Sequence, residues 1–164
     1  MAPRSLPTSV ILTLASVTLL LGGCDLFSSG LQVSELERST VGLLRQLPVE
    51  PLGGPDFDVT TTEVKLDAPY VSAHGVGRDS DVDQLVAALT AQLQADGFEV
   101  ISSGPIDHIH GFEVLASDGV VVVRAQLGAG DAGSAIYPPL QDGAYLVVQM
   151  ANTRSGPDWT DVNL

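Results

Sequence analysis

The chain has 164 residues, with 20 acidic and 7 basic side chains and a formal net charge of −13. That balance argues against nucleic acid as a partner, because binding to phosphates draws on clustered Lys and Arg. With 45% hydrophobic residues the chain can bury a core, which excludes disorder throughout, and its one cysteine excludes an intramolecular disulfide framework or a multi-cysteine metal cluster.

Arg4 is the only charge before an apolar run from Val10 to Leu21, interrupted by Thr13, Ser16 and Thr18. Such a helix rises about 18 Å, short of the roughly 30 Å of a bilayer core. The run therefore reads as the hydrophobic segment of a signal peptide covering residues 1–23. It closes on Leu21-Gly22-Gly23-Cys24, followed by Asp25. This tetrapeptide resembles the lipobox of bacterial lipoproteins. The resemblance covers residues 1–24 alone and implies that Cys24 is the lipidation site. In that family the thiol receives a diacylglyceryl group, cleavage falls just before the cysteine, and the new amino group is often acylated as well. It further implies a protein held by acylated Cys24 on the extracytoplasmic face of the cell membrane. By resemblance to enterobacterial lipoproteins, Asp25 implies retention at an inner membrane where two membranes exist. Two or more acyl chains anchor stably where one does not.

Without Arg4, residues 24–164 carry 6 basic and 20 acidic side chains, a balance of −14. Anionic headgroups repel such a chain, which leaves the lipid as its anchor, with the domain standing off the surface. Residues 24–33 read as a tether, short and Ser/Gly-bearing. Ser34 followed by Glu37 fits a capping box and opens a helix over 34–47, closed by Pro48. Thr40 and Gly42 weaken it. Residues 48–56, with three prolines and two glycines, read as loop. The β-branched alternation of 57–66 reads as a strand. Residues 67–78 are extended, with a short strand around Tyr70–Ala73.

The clearest element is a helix over 80–96, the longer of the two. Ser80 with Asp83 forms its cap, Val82, Val86, Leu89 and Leu93 form its apolar stripe with Leu85 flanking, and Gly97 lies just past its end. Phe98–Ile101 reads as a strand ended by Ser102-Ser103-Gly104-Pro105. Residues 109–127 read as a hairpin around Asp118-Gly119, with Val120–Val123 in a strand covered on both faces. Residues 128–142 form a long loop, 144–151 the last strand, and 152–164 a loop-like tail carrying Trp159. The predicted fold class is thus α+β, a two-layer sandwich of a mainly antiparallel sheet with one long helix and a shorter N-terminal helix, in a single domain over 34–164. The Val-rich second face needs a cover, supplied by the N-terminal helix or by a partner.

Candidate chemistry is sparse. His108-x-His110 puts two imidazoles on one side of a strand, with Asp107, Glu113 and His74 as further donors, but a metal site ordinarily needs three ligands held together. Asp79-x-Asp81-x-Asp83 resembles the opening of a calcium loop, yet Gln84 and Thr90 stand where glycine and glutamate are required. Gly128–Ser134 is glycine-rich without the lysine of a phosphate loop. There is no Gly-x-Ser-x-Gly elbow, and Ser102, Ser103 and Ser72 with His74 are unremarkable in a chain this rich in small residues. Tyr70, Tyr145, Trp159 and above all Tyr137-Pro138-Pro139 are candidate contact residues. No catalytic, cofactor or metal residue is assigned. The expectation is a non-enzymatic binding or assembly lipoprotein with an envelope protein as partner. The alternatives are a small-ligand or metal-binding lipoprotein and, behind it, a small envelope hydrolase.

Overall fold

The computed structural model describes residues 28–64, 67–106, 111–129, 143–153 and Trp159. Helix α1 spans Ser28–Gln46 and helix α2 spans Val82–Ala95. The strands are β1 (Glu50–Pro51), β2 (Val59–Val64), β3 (Asp67–Gly77), β4 (Glu99–Ile106), β5 (Gly111–Ser117), β6 (Val121–Ala129) and β7 (Ala144–Asn152). They form one seven-stranded sheet ordered β1-β3-β7-β6-β5-β4, with β2 sharing with β1 the outer edge of β3. Every pairing is antiparallel. The class is α+β and mostly sheet, as the alternation in the sequence implies.

The helix lengths reverse the expectation. The N-terminal helix has 19 residues and α2 has 14. Helix α1 starts at Ser28, so residues 28–33, read as tether, continue the helix, and Ser34 is an interior residue rather than its cap. Nothing between Ser28 and Ser34 breaks a helix as proline would. Buried Thr40 is accommodated because its Oγ1 donates to the Leu36 carbonyl at 2.7 Å.

The α2 cap is shifted by one residue from the predicted Ser80. Asp81 is the N-cap; its carboxylate accepts from the Gln84 N–H at 2.8 Å, and Gln84 Oε1 accepts from the Asp81 N–H at 3.2 Å. At the other end Gly97 takes φ +89°, its N–H bonds to the Gln94 carbonyl and the Phe98 N–H to the Leu93 carbonyl. This closes the helix in the Schellman arrangement. Leu85, Leu89 and Leu93 are fully buried and form the core stripe, while Val82 and Val86 flank it.

Both helices pack on the same face of the sheet. Leu36, Leu43, Leu44 and Leu47 of α1 and the α2 leucines share one core with Val71, Val114, Val123, Leu127, Leu146, Val148 and Met150. The N-terminal helix therefore does not cover the second face, as the sequence left open. Trp159 lies on that face instead, packed edge-on to Tyr70 at 5.8 Å and against Leu115, Val122 and Ala151. In β6, Val122 and Val123 are buried on opposite faces, but Val120 belongs to the turn and is exposed.

Three strands run longer than the sequence suggests, and β1 lies inside the predicted loop. Strand β3 extends to Gly77 because its glycines let neighbours close in. A Cβ at Gly75 would stand 2.9 Å from Val49 Cγ2, and one at Gly77 3.0 Å from Leu85 Cδ1. Strand β4 continues through Pro105 because it is an edge strand, where proline removes no ladder bond. It also carries a bulge between Val100 and Ser102. Strand β6 runs two residues beyond Leu127, where the long loop was expected.

Candidate functional site

The topology gives the sheet two distinct ends, separated by the length of β7, about 27 Å. At the entry end lie the start of α1, the β5–β6 turn, the α2–β4 connection and the exit of β7 at Asn152. At the far end lie the α1–β1 and β3–α2 connections, and the β4–β5 and β6–β7 pairs join there.

The far end holds an open cleft of about 650 Å³ lined by Arg78–Gln84, Ala129 and Gly143. Two of its charged side chains are already engaged. Asp81 caps α2, and Arg78 Nε donates to Glu50 Oε2 at 3.1 Å. Asp79, Asp81 and Asp83, the residues of the failed calcium pattern, thus sit at a helix start. Gly143, at φ +103°, packs where any Cβ would overlap the Gly77 carbonyl oxygen.

The outer face of the sheet carries a polar inlay that the sequence reading missed. Glu113 is buried, and its Oε2 accepts from Arg124 Nε at 2.6 Å and from Gln126 Nε2 at 3.1 Å. Arg124 lies beside Gln149 on β7, which in turn pairs with Ser72 on β3. Gln149 Oε1 is buried and meets no donor among the described residues. The inlay separates two apolar clusters, Val76 with Tyr145 and Val147, and Leu115 with Val122 and Ala151. The turn closes between Asp118 and Val121 with Gly119-Val120 at its tip, one residue later than the Asp118-Gly119 turn read from the sequence, and this sets Glu113 opposite Gln126 and Arg124 opposite Leu115, on one face. Held by two donors, the Glu113 carboxylate is a structural acceptor rather than a free base or nucleophile.

The other candidates disperse. His74 is exposed on β3, Tyr145 is buried, and Tyr70 and Trp159 pack together. Ser72 is buried in the inlay row, while Ser102 and Ser103 lie on the bulged edge strand β4. Cys24, Asp25, Asp107, His108, His110, Gly130–Ser134 and Tyr137-Pro138-Pro139 lie outside the described residues, as does most of the predicted tail. Among the described residues no three His, Cys, Asp or Glu side chains converge as metal ligands, and no helix is long and apolar enough to cross a membrane. In comparisons with known proteins, no family model matches the chain, and no curated protein or solved structure is significantly similar to it.

Proposed function

We propose that the protein is a lipoprotein held by acylated Cys24 on the extracytoplasmic face of the cell membrane, with an α+β domain that acts as a non-enzymatic binding or assembly module for an envelope protein. The observation that carries this reading is Leu21-Gly22-Gly23-Cys24 directly behind an apolar run too short to span a bilayer. The domain fits this reading. Its Glu113–Arg124–Gln126 cluster is closed on itself, and the cleft at the start of α2 has its arginine and its capping aspartate in hydrogen bonds.

The test is intact mass and membrane fractionation of the wild type beside Cys24→Ala. Acyl mass on Cys24, a membrane-bound wild type and a variant that keeps residues 1–23 support the reading. A wild type without lipid, cut elsewhere or recovered free of the membrane, ends it. Where the anchor is present, crosslinking on intact cells then identifies the partner.

A further inference from the structure

We propose that the entry end of the domain is a lipid-contacting surface that rests on the headgroups of the membrane holding Cys24, with Val120 as its apolar contact. The inference rests on the lipoprotein reading and adds an orientation to it. Its first support is chain length. Only residues 25–27 separate Cys24 from α1, so Cys24 and Ser28 are at most about 14 Å apart. From Ser28 the helix rises about 10 Å to Glu35 and enters the core at Val33 and Leu36. Glu35, Leu36 and Arg38 line one shallow groove with Val120, Val121 and Asn152. Along the helix, Glu35 therefore lies within about 25 Å of the acylated residue, the β5–β6 turn lies across the groove from it, and the far end lies a full strand length beyond the turn.

The second support is the turn itself. Val120 is 62% exposed, more than Ile101 at 50% or Leu52 at 42%, the other exposed large hydrophobics among the described residues. It is held there rigidly. Its N–H donates to Asp118 Oδ1 at 2.8 Å, and its carbonyl accepts from the Thr153 N–H at 2.9 Å and from Thr153 Oγ1 at 3.1 Å. An apolar side chain fixed outward at a hairpin tip, on the end that faces the anchor, is suited to the interfacial layer. The third support is the half-buried Tyr70–Trp159 pair toward the same end of the outer face, since Tyr and Trp favour the membrane interface. Glu35, Asp96, Glu99 and Asp118 share this end, so contact stays at headgroup level and is strongest on zwitterionic lipid.

The test uses the full lipidated protein in phosphatidylcholine vesicles. Cys24 is the sole cysteine and its thiol is closed by acylation, so Val120→Cys and Asp79→Cys each add one reactive thiol, at the entry end and the far end. An environment-sensitive fluorophore is read against a quencher placed in the lipid headgroup layer. The expected result is at least twofold stronger quenching at position 120 than at 79, with a blue-shifted emission at 120. Fluorescence of Trp159, the only tryptophan, falls with the same quencher. Equal or weaker quenching at 120 in protein that floats with the vesicles and carries acyl mass overturns the orientation and leaves the lipoprotein reading standing. Protein that carries no acyl mass and does not float overturns both.

Discussion

On the helix-covered face of the sheet, the buried inward positions of β3, β7, β6 and β5 are apolar or glycine, whereas the outer face sets Glu113, Arg124, Gln126 and Gln149 between two apolar clusters. The two faces are stabilised differently. The first depends on filled volume, with Leu85, Leu89 and Leu93 closing over Val114, Val123 and Leu127. The second depends on matched polar groups. The outer face also constrains strand register in a way the inner face does not. A slip of one residue in β5 or β6 would turn Glu113 or Arg124 into the aliphatic layer under α2, where an unpaired charge is prohibitive.

The largest single effect is therefore expected on the inner face. Leu89→Ala removes a fully buried side chain from the middle of α2 and should lower stability by about 3 kcal/mol or more. Chemical denaturation should show a reduced midpoint with an unchanged slope. A loss below about 1 kcal/mol would mean that α2 closes over the gap, and that the inner face is looser than its burial implies.

On the outer face the expected effect is smaller and depends on what is left behind. Glu113→Ala strands Arg124 and Gln126 without their acceptor. The Arg124 side chain keeps 24% exposure, against 8% for Glu113, so water recovers part of the loss. A destabilisation of about 2 kcal/mol is expected, below the range for a fully buried pair. Replacing both charges, Glu113→Leu with Arg124→Leu, should recover most of that loss, since a matched apolar pair substitutes well for a buried ion pair. If the double variant is as unstable as the single, or loses cooperative unfolding, the pair holds the register as well as satisfying itself.

The same contrast explains what was legible in the sequence. The inner face was readable because its signals are local: the spacing of Leu89 and Leu93 along α2, and the largely apolar run of 144–151. Asp118-Gly119 located the hairpin, and its side chain does close the turn, accepting from the Val120 and Val121 N–H groups. The outer inlay was not readable from any one strand. Glu113 and Arg124 meet only once register is set, and each alone looks like an ordinary surface charge. The ends of elements failed for a related reason. Gly75, Gly77 and Pro105 are breakers in isolation, but Val49 and Leu85 pack onto the two glycines and the free edge of β4 accepts the proline. The motif behind the proposed function, Leu21-Gly22-Gly23-Cys24, is contiguous and needs no fold to be read, whereas the proposed lipid-contacting end rests on topology.

The smallest effect separates two adjacent residues. The sequence pointed to Ser80 as the α2 cap, and the structure places Asp81 there in a reciprocal pair with Gln84. Asp81 also puts a negative charge at the positive end of the helix dipole, which Ser80 cannot. Asp81→Ala should thus lower stability by about 1 kcal/mol, while Ser80→Ala should change it by less than about 0.5 kcal/mol. Asp81→Ser retains the acceptor and drops the charge, so it should fall between them, and its deficit against wild type should shrink as salt screens the dipole interaction. Thermal unfolding of the three variants at low and high salt gives the order directly. A larger loss for Ser80→Ala than for Asp81→Ala would move the helix start back to the residue the sequence first suggested, and with it the first turn that lines the far-end cleft.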